Sequence, residues 1–321
     1  MAAQDGPLRT KVVDVAQRYK PSDLDAWRRD GAHLIEGFFT PDEVAAVQAD
    51  FEVLFGRSGA EAPMVKAKEG ELGRFNPAQF TGVQPIPVEC SPALNLIGLH
   101  PALIGFACEA LGTSDVRLYQ CQAWGKFTGD ADYSQPFHCD FVNHTLTAPS
   151  EDQRLNAVTY ILIMSDVTEA HGPTHYVTRP QSLELAGPEA TLKPDPELQA
   201  RLAERARSAA GPAGSVFVYG IDIWHRGTNL TVAGGHRYVM TVTYKRADNG
   251  MIDFRAWPFH HTQPWRIIFE SASPEQLACF GVPRPGDRFW TELTIARAQT
   301  RWPGWDMTPW RAALAHRAAA E

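Results

Sequence analysis

Four stretches in the middle of the chain, residues 116–127, 157–164, 215–219 and 237–244, alternate or run apolar over strand length and are rich in β-branched and aromatic residues. Gly- and Pro-containing turns separate them, and no helix recurs regularly between one and the next. Parallel strands need a crossover of a dozen or more residues, usually a helix, so this spacing confines the strands to antiparallel pairing. Strands apolar enough to be buried then roll into a sandwich or barrel. The expected fold class is mainly β with flanking helices.

The flanks carry the helices. Residues 21–27 read as a short helix, and 31–39 as strand-like. Thr40-Pro41-Asp42-Glu43 is a helix start: Thr40 caps, Pro41 fits the first helical position and Glu43 completes a capping box. Val44, Val47, Phe51, Leu54 and Phe55 continue at helical spacing to Gly56. Residues 57–90 read as a long loop, 101–111 as a helix closed by Gly112, and 195–208 as a helix capped by Asp195. The Trp-rich tail from 251 is helical, with starts at Ser273-Pro274 and Thr308-Pro309. This organisation predicts a single domain over 1–321, with N-terminal helices and loops (1–115), a β core (116–250) and a helical extension (251–321).

Composition narrows the classes of function. A net charge of −7 argues against a nucleic-acid partner. The five cysteines are odd in number and widely spaced with no CxxC pair, which predicts reduced thiols rather than a disulfide framework. The start of the chain lacks an apolar signal-peptide core, and no run of 18 apolar residues occurs. A cytoplasmic protein with no membrane partner is expected, and homo-oligomerisation is left open.

The chemistry-bearing residues are His138 and Asp140, then His225, then Arg237. A His-x-Asp pair alone is about as common as chance allows in a chain of this length. Its weight comes from order and context, because two imidazoles and a carboxylate can hold Fe(II) on one face and leave the other open. In an extended segment His138 and Asp140 project to the same side and Cys139 to the other. A hairpin would put His225 and Arg237 on adjacent strands. The guanidinium fork matches a carboxylate, as a ligand chelating the metal at its far end would require.

On these residues the chain resembles the phytanoyl-CoA dioxygenase (PhyH) family of Fe(II)/2-oxoglutarate oxygenases. The matching motifs are Asp30-Gly31 with Glu36 to Val44, His138-x-Asp140, Gly172 to Val177, Ala213 to Phe217, Trp224 to Gly227 with Asn229, and Arg237. The resemblance implies a double-stranded β-helix (jelly-roll, cupin-like) core. It also implies iron ligands His138, Asp140 and His225, and an Arg237 that binds the distal carboxylate of 2-oxoglutarate. The implied reaction uses Fe(II), 2-oxoglutarate and O2 on a small-molecule substrate and releases succinate and CO2. An intact Asp140 favours hydroxylation, since halogenating relatives replace that carboxylate with Gly or Ala. Two positions depart from the family: Thr178 to Ser182 stand where relatives often have Pro-Gly-Ser-His, and Val239 stands where many have a hydroxyl beside the arginine. Thr228, Thr241 and Tyr160 are the candidates to supply that hydroxyl.

Gln120, Gln122 and Lys126 share one face of the 116–127 strand, while Trp124, Phe137, Phe141 and Trp224 bracket the metal residues. Of these, Gln122, Lys126, Trp124, Phe137, Phe141 and Trp224 are substrate-pocket candidates, with core packing as the competing role for the aromatics. His144, His171, His175 and His236 read as loop or strand-edge residues. Two other functions remain open: a cupin-like metal enzyme that does not use 2-oxoglutarate, and a non-catalytic relative. Arg237 weighs against the first and the complete triad against the second.

Overall fold

Strand pairing is antiparallel throughout the described sheets, as the spacing without crossover helices requires. The computed structural model describes residues 18–56, 82–129, 134–145, 149–187, 195–250, 252, 264–287 and 290–320. The strands are β1 (Ala32–Ile35), β2 (Val83–Pro85), β3 (Val116–Phe127), β4 (Ala157–Ile163), β5 (Thr174–Tyr176), β6 (Arg207–Ser208), β7 (Val216–Gly220), β8 (His225–Gly227) and β9 (His236–Arg246). A six-stranded sheet runs β1-β7-β4-β9-β3-β2, and a smaller sheet runs β6-β5-β8. This is the double-stranded β-helix class expected from the sequence.

Period-two alternation divides the large sheet into two unlike faces. Val158, Tyr160 and Leu162 of β4, Val216 and Val218 of β7, and Tyr238, Met240, Val242 and Tyr244 of β9 join one buried cluster. Helices α1 (Pro21–Asp30), α2 (Pro41–Phe55), α3 (Pro92–Ile97) and α4 (Pro101–Leu111) contribute Trp27, Phe51, Leu94, Leu103 and Phe106 to it. Fully burying a side chain of Leu or Phe size stabilises by roughly 1.5–3 kcal/mol, so this face anchors the fold. Residues 92–111 are apolar enough to resemble a membrane span, but α3 and α4 are largely buried in this cluster. Trp265, Trp290, Trp305 and Trp310 of the tail join it too.

The opposite face carries the polar residues, and a β-bulge in β3 puts them there. Leu118 pairs with Tyr244 but Gln120 with Thr243, so one extra residue, Tyr119, is inserted in β3. Before it Val116 and Leu118 enter the core; after it Ala123 and Phe127 do. The bulge therefore turns Gln120, Gln122, Trp124 and Lys126 away from the helices.

The α2 start forms as predicted: Thr40 Oγ1 accepts from Glu43 N at 3.3 Å, and Glu43 Oε2 accepts from Thr40 N at 2.7 Å. Three expectations need correction. The helix read over 195–208 ends earlier, as α7 (Pro196–Arg205), because Arg207 and Ser208 pair with Tyr176 and His175 as β6. The 57–90 stretch contains an edge strand, β2, paired with β3, while 57–81 lie outside the described residues. His225 and Arg237 do not lie on adjacent strands: β8 belongs to the small sheet and β9 to the centre of the large one.

Candidate metal and carboxylate site

His138 and His225 are cross-strand partners. Each backbone N–H donates to the other's carbonyl at 2.9 Å, which places the imidazole centroids 4.5 Å apart. The His138 segment is locked from two directions. Gln135 N donates to Gly227 O at 2.8 Å, and its Oε1 accepts from Gly227 N at 2.7 Å. Gln199 of α7 grips the Phe137 backbone, accepting from its N at 2.8 Å and donating to its O at 3.0 Å. On the other side Arg179 Nε donates to Asp222 Oδ2 at 2.7 Å, tying down the turn before His225. Arg179 opens α6 (Arg179–Ala186), in the segment where the sequence departs from its relatives.

The imidazole tautomers follow from the backbone. Nδ1 of His138 lies 3.0 Å from Pro136 O, and Nδ1 of His225 lies 2.9 Å from Ile223 O. A carbonyl can only accept, so each Nδ1 carries the proton and each Nε2 keeps its lone pair. The two Nε2 atoms lie 3.7 and 3.6 Å from Oδ1 and Oδ2 of Asp140. Asp140 is not extended, as the sequence suggested, but has helical backbone angles and leads into α5 (Phe141–His144). Tyr219 donates its hydroxyl to Asp140 Oδ2 at 2.9 Å.

The donor set fits a divalent first-row metal. One atom from each of His138, Asp140 and His225 lies within 4.8 Å of the others, and bound donors around such an ion sit about 3 Å apart. The electrostatics agree. Burial, then the charge of His225, lowers the His138 pKa to about 4, so it is a neutral ligand at neutral pH. Burial pushes the Asp140 carboxyl up, but His225, His138, His144 and the Tyr219 hydroxyl outweigh it and hold the pKa below the usual value. Cys139 is buried with its Sγ on Asp222 O at 3.3 Å, away from the triad.

The triad opens into a cavity of about 550 Å³ between the two sheets, and Arg237 lines it. Arg237 is buried, its Nε has no hydrogen-bond partner among the described residues, and burial lowers its pKa to about 10. Such an orphaned cation beside a metal-ligand set is a receptor for an anion.

The other predicted residues divide. Gln122, Trp124, Lys126 and Thr241 line the cavity. Phe137, Phe141 and Trp224 do not; they form a separate buried cluster behind the ligands. Tyr160 points into the helix-covered core and donates to Leu103 O at 3.1 Å, because alternation on β4 turns it from the cavity. Thr228 commits its hydroxyl to Pro173 O at 2.6 Å. His144, read as a loop residue, lines the cavity with its Nδ1 2.7 Å from Tyr119 Oη. Sequence reasoning missed Tyr219, although its period-two spacing from Phe217 could have placed it on the cavity face.

Comparison with known proteins places the chain among relatives in sequence and in fold. The sequence profile of "Phytanoyl-CoA dioxygenase (PhyH)" matches residues 27–234. An ectoine dioxygenase of Bordetella parapertussis is 25% identical over 265 residues, spanning 77% of this chain and 82% of that enzyme. The crystal structure of EctD from S. alaskensis in its apoform superposes with a TM-score of 0.52 at 20% identity, covering 74% of this chain and 80% of that one. The non-haem α-ketoglutarate-dependent epimerase SnoN from nogalamycin biosynthesis superposes with a TM-score of 0.52 at 18% identity, covering 70% and 82%.

Proposed function

Because this chain belongs to the phytanoyl-CoA dioxygenase (PhyH) family, a family of Fe(II)- and 2-oxoglutarate-dependent dioxygenases, we propose that it hydroxylates a C–H bond of a small organic substrate. The observation that carries the reading is the convergence of His138, Asp140 and His225 in one cavity with the orphaned guanidinium of Arg237. Fe(II), 2-oxoglutarate and O2 together supply oxidative decarboxylation to succinate and CO2, coupled to oxidation of a substrate C–H bond.

In this reading the chain's own residues bind, orient and exclude. Nε2 of His138, Nε2 of His225 and the Asp140 carboxylate are the metal ligands, with Tyr219 steadying the carboxylate. Arg237 takes the distal carboxylate of 2-oxoglutarate and so fixes which way the co-substrate lies. Ile161, Ile163, Phe217 and Val239 make part of the wall apolar and keep water from the reacting centre. Gln120, Gln122, Asn143 and His144 give the remaining wall a polar, uncharged character at neutral pH, suited to a compact polar substrate. A metal enzyme without 2-oxoglutarate would have no use for a buried, unpartnered arginine here, and this disfavours the cupin-like alternative.

Anaerobic protein given Fe(II) and 2-oxoglutarate should develop a weak visible metal-to-ligand charge-transfer band. On admission of O2 it should release succinate slowly even without substrate. Absence of both would refute the reading; a screen of small molecules for accelerated succinate release would then identify the substrate.

A further inference from the structure

Three successive carbonyls of one turn serve the candidate metal ligands. Ile221 O accepts from Phe141 N at 3.0 Å, and Asp222 O accepts from Cys139 Sγ at 3.3 Å. Ile223 O takes the Nδ1 proton of His225 at 2.9 Å. The first two bonds fix Cys139 and Phe141, the residues on either side of Asp140. The third fixes the ring of His225. A shift of this turn would therefore move two of the three ligands together.

The turn is held by a side chain that does not line the cavity. Arg179 grips Asp222 with a two-pronged bond, Nε to Oδ2 at 2.7 Å and Nη2 to Oδ1 at 3.1 Å. Nη2 also donates to Gln153 Oε1 at 2.9 Å and Nη1 to Arg28 O at 3.4 Å, so the guanidinium is itself fixed from two further segments. Both charged side chains are mostly buried, at 15% and 11% exposure. The sequence leaves room for them at Gly220. Its φ is not left-handed, yet an added Cβ would lie 2.5 Å from Asp222 Oδ1 and 3.1 Å from Arg179 Nη2. Arg179 also belongs to the Thr178 to Ser182 segment in which the chain departs from its relatives. A buried ion pair is a poor device for stability alone, since well-packed neutral residues often hold a fold as well. What this pair adds is a fixed geometry for the turn.

We propose that Arg179 is a positioning residue of the metal centre: it acts through Asp222 on the 221–223 turn, and the turn aims His225 and Asp140 at one ion. The inference rests on the metal-site reading above. A ligating imidazole is oriented by the acceptor at its other ring nitrogen. For His225 that acceptor is Ile223 O, and the Arg179–Asp222 pair decides where it stands. An arginine suits the task because two parallel bonds fix the plane of the carboxylate as well as its position, which a lysine ammonium cannot do.

Anaerobic titration with Co(II), whose visible bands report its ligand geometry, tests the assignment alongside the melting temperature of the metal-free protein. R179M/D222N removes both charges and leaves no buried ion unpaired, so it should melt near the wild-type temperature. It should nonetheless bind Co(II) about 10- to 100-fold more weakly, the loss expected when an outer support of the ligands is removed, and with altered visible bands. R179K keeps the charge and loses the fork; it too should melt near the wild type, with an affinity between the other two. Wild-type Co(II) affinity and bands in these variants, or a loss of affinity only where melting falls in parallel, would overturn the positioning role while leaving the metal site intact. Should R179M/D222N fail to fold, R179K decides by the same two measurements. Failure of the wild type to bind Co(II) at all would overturn the metal site and the positioning role together.

Discussion

Replacing Arg237 with methionine should stabilise the ligand-free protein and abolish its response to 2-oxoglutarate. The wild-type guanidinium is buried, has no acidic partner among the described residues, and has a pKa lowered by burial from 12.5 to about 10. At 1.36 kcal/mol per pH unit, that gap puts the penalty on the charged form at about 3 kcal/mol. Methionine removes the charge and keeps most of the apolar stem's packing. A net gain of about 1–2 kcal/mol corresponds to a melting temperature raised by roughly 1.5–3 °C. Against this, the variant loses two charge-assisted hydrogen bonds to the carboxylate, about 1.5–3 kcal/mol each, so affinity should fall at least 100-fold. Ligand at about 100 times its dissociation constant stabilises by about 2.7 kcal/mol. Differential scanning fluorimetry should therefore show a crossing. Without ligand the variant melts higher; with Fe(II) and saturating 2-oxoglutarate under argon the wild type overtakes it. A ligand-free variant that melts several degrees lower and keeps the full ligand-induced shift would show that Arg237 is a structural cation and that the anion-receptor argument is wrong.

Tyr219→Phe removes the hydroxyl that donates to Asp140 Oδ2. It should weaken Fe(II) binding about 10-fold, measured by anaerobic titration, with little loss of stability. Gly172→Ala should destabilise by more than about 2 kcal/mol in chemical denaturation, because φ is +68° there and an added Cβ would sit 2.5 Å from Thr228 O. The same clash would displace the carbonyl that holds Lys126. The Lys126 pKa is depressed to about 7, so the unfolded chain binds the extra proton between that pH and 10.5. Ligand-free stability should therefore rise with pH across this window, by up to about 5 kcal/mol. K126M should flatten that part of the profile, and an unchanged slope would show that Lys126 is not held in a desolvated site.

The strand positions were legible because burial imposes a period. In β4, β7 and β9 the apolar alternation is strong enough that 157–163, 216–220 and 236–246 emerge within a residue or two of the expected bounds. The start of α2 was legible for a similarly local reason, since Thr40, Pro41 and Glu43 satisfy the first turn among themselves. The 207–208 strand was not, because its two exposed residues acquire strand geometry from Tyr176 and His175, remote in sequence.

The candidate site divides the same way. Which residues could ligate a metal was set by residue chemistry: two imidazoles, one carboxylate and an arginine in a recognisable order. How they meet was not. His138 and His225 are neighbours because of a backbone bridge in the small sheet, while Arg237 reaches their cavity from the large sheet. Tyr160 was a plausible partner for Arg237 until strand alternation placed it on the far face. Lys126 came to face the cavity through a single inserted residue, Tyr119, which inverts the facing of the rest of β3. Local sequence specifies what a side chain can do and which periodicity it obeys. Register, bulges and the pairing of distant strands are set by the summed burial of the whole sheet, and they decide which groups share the cavity.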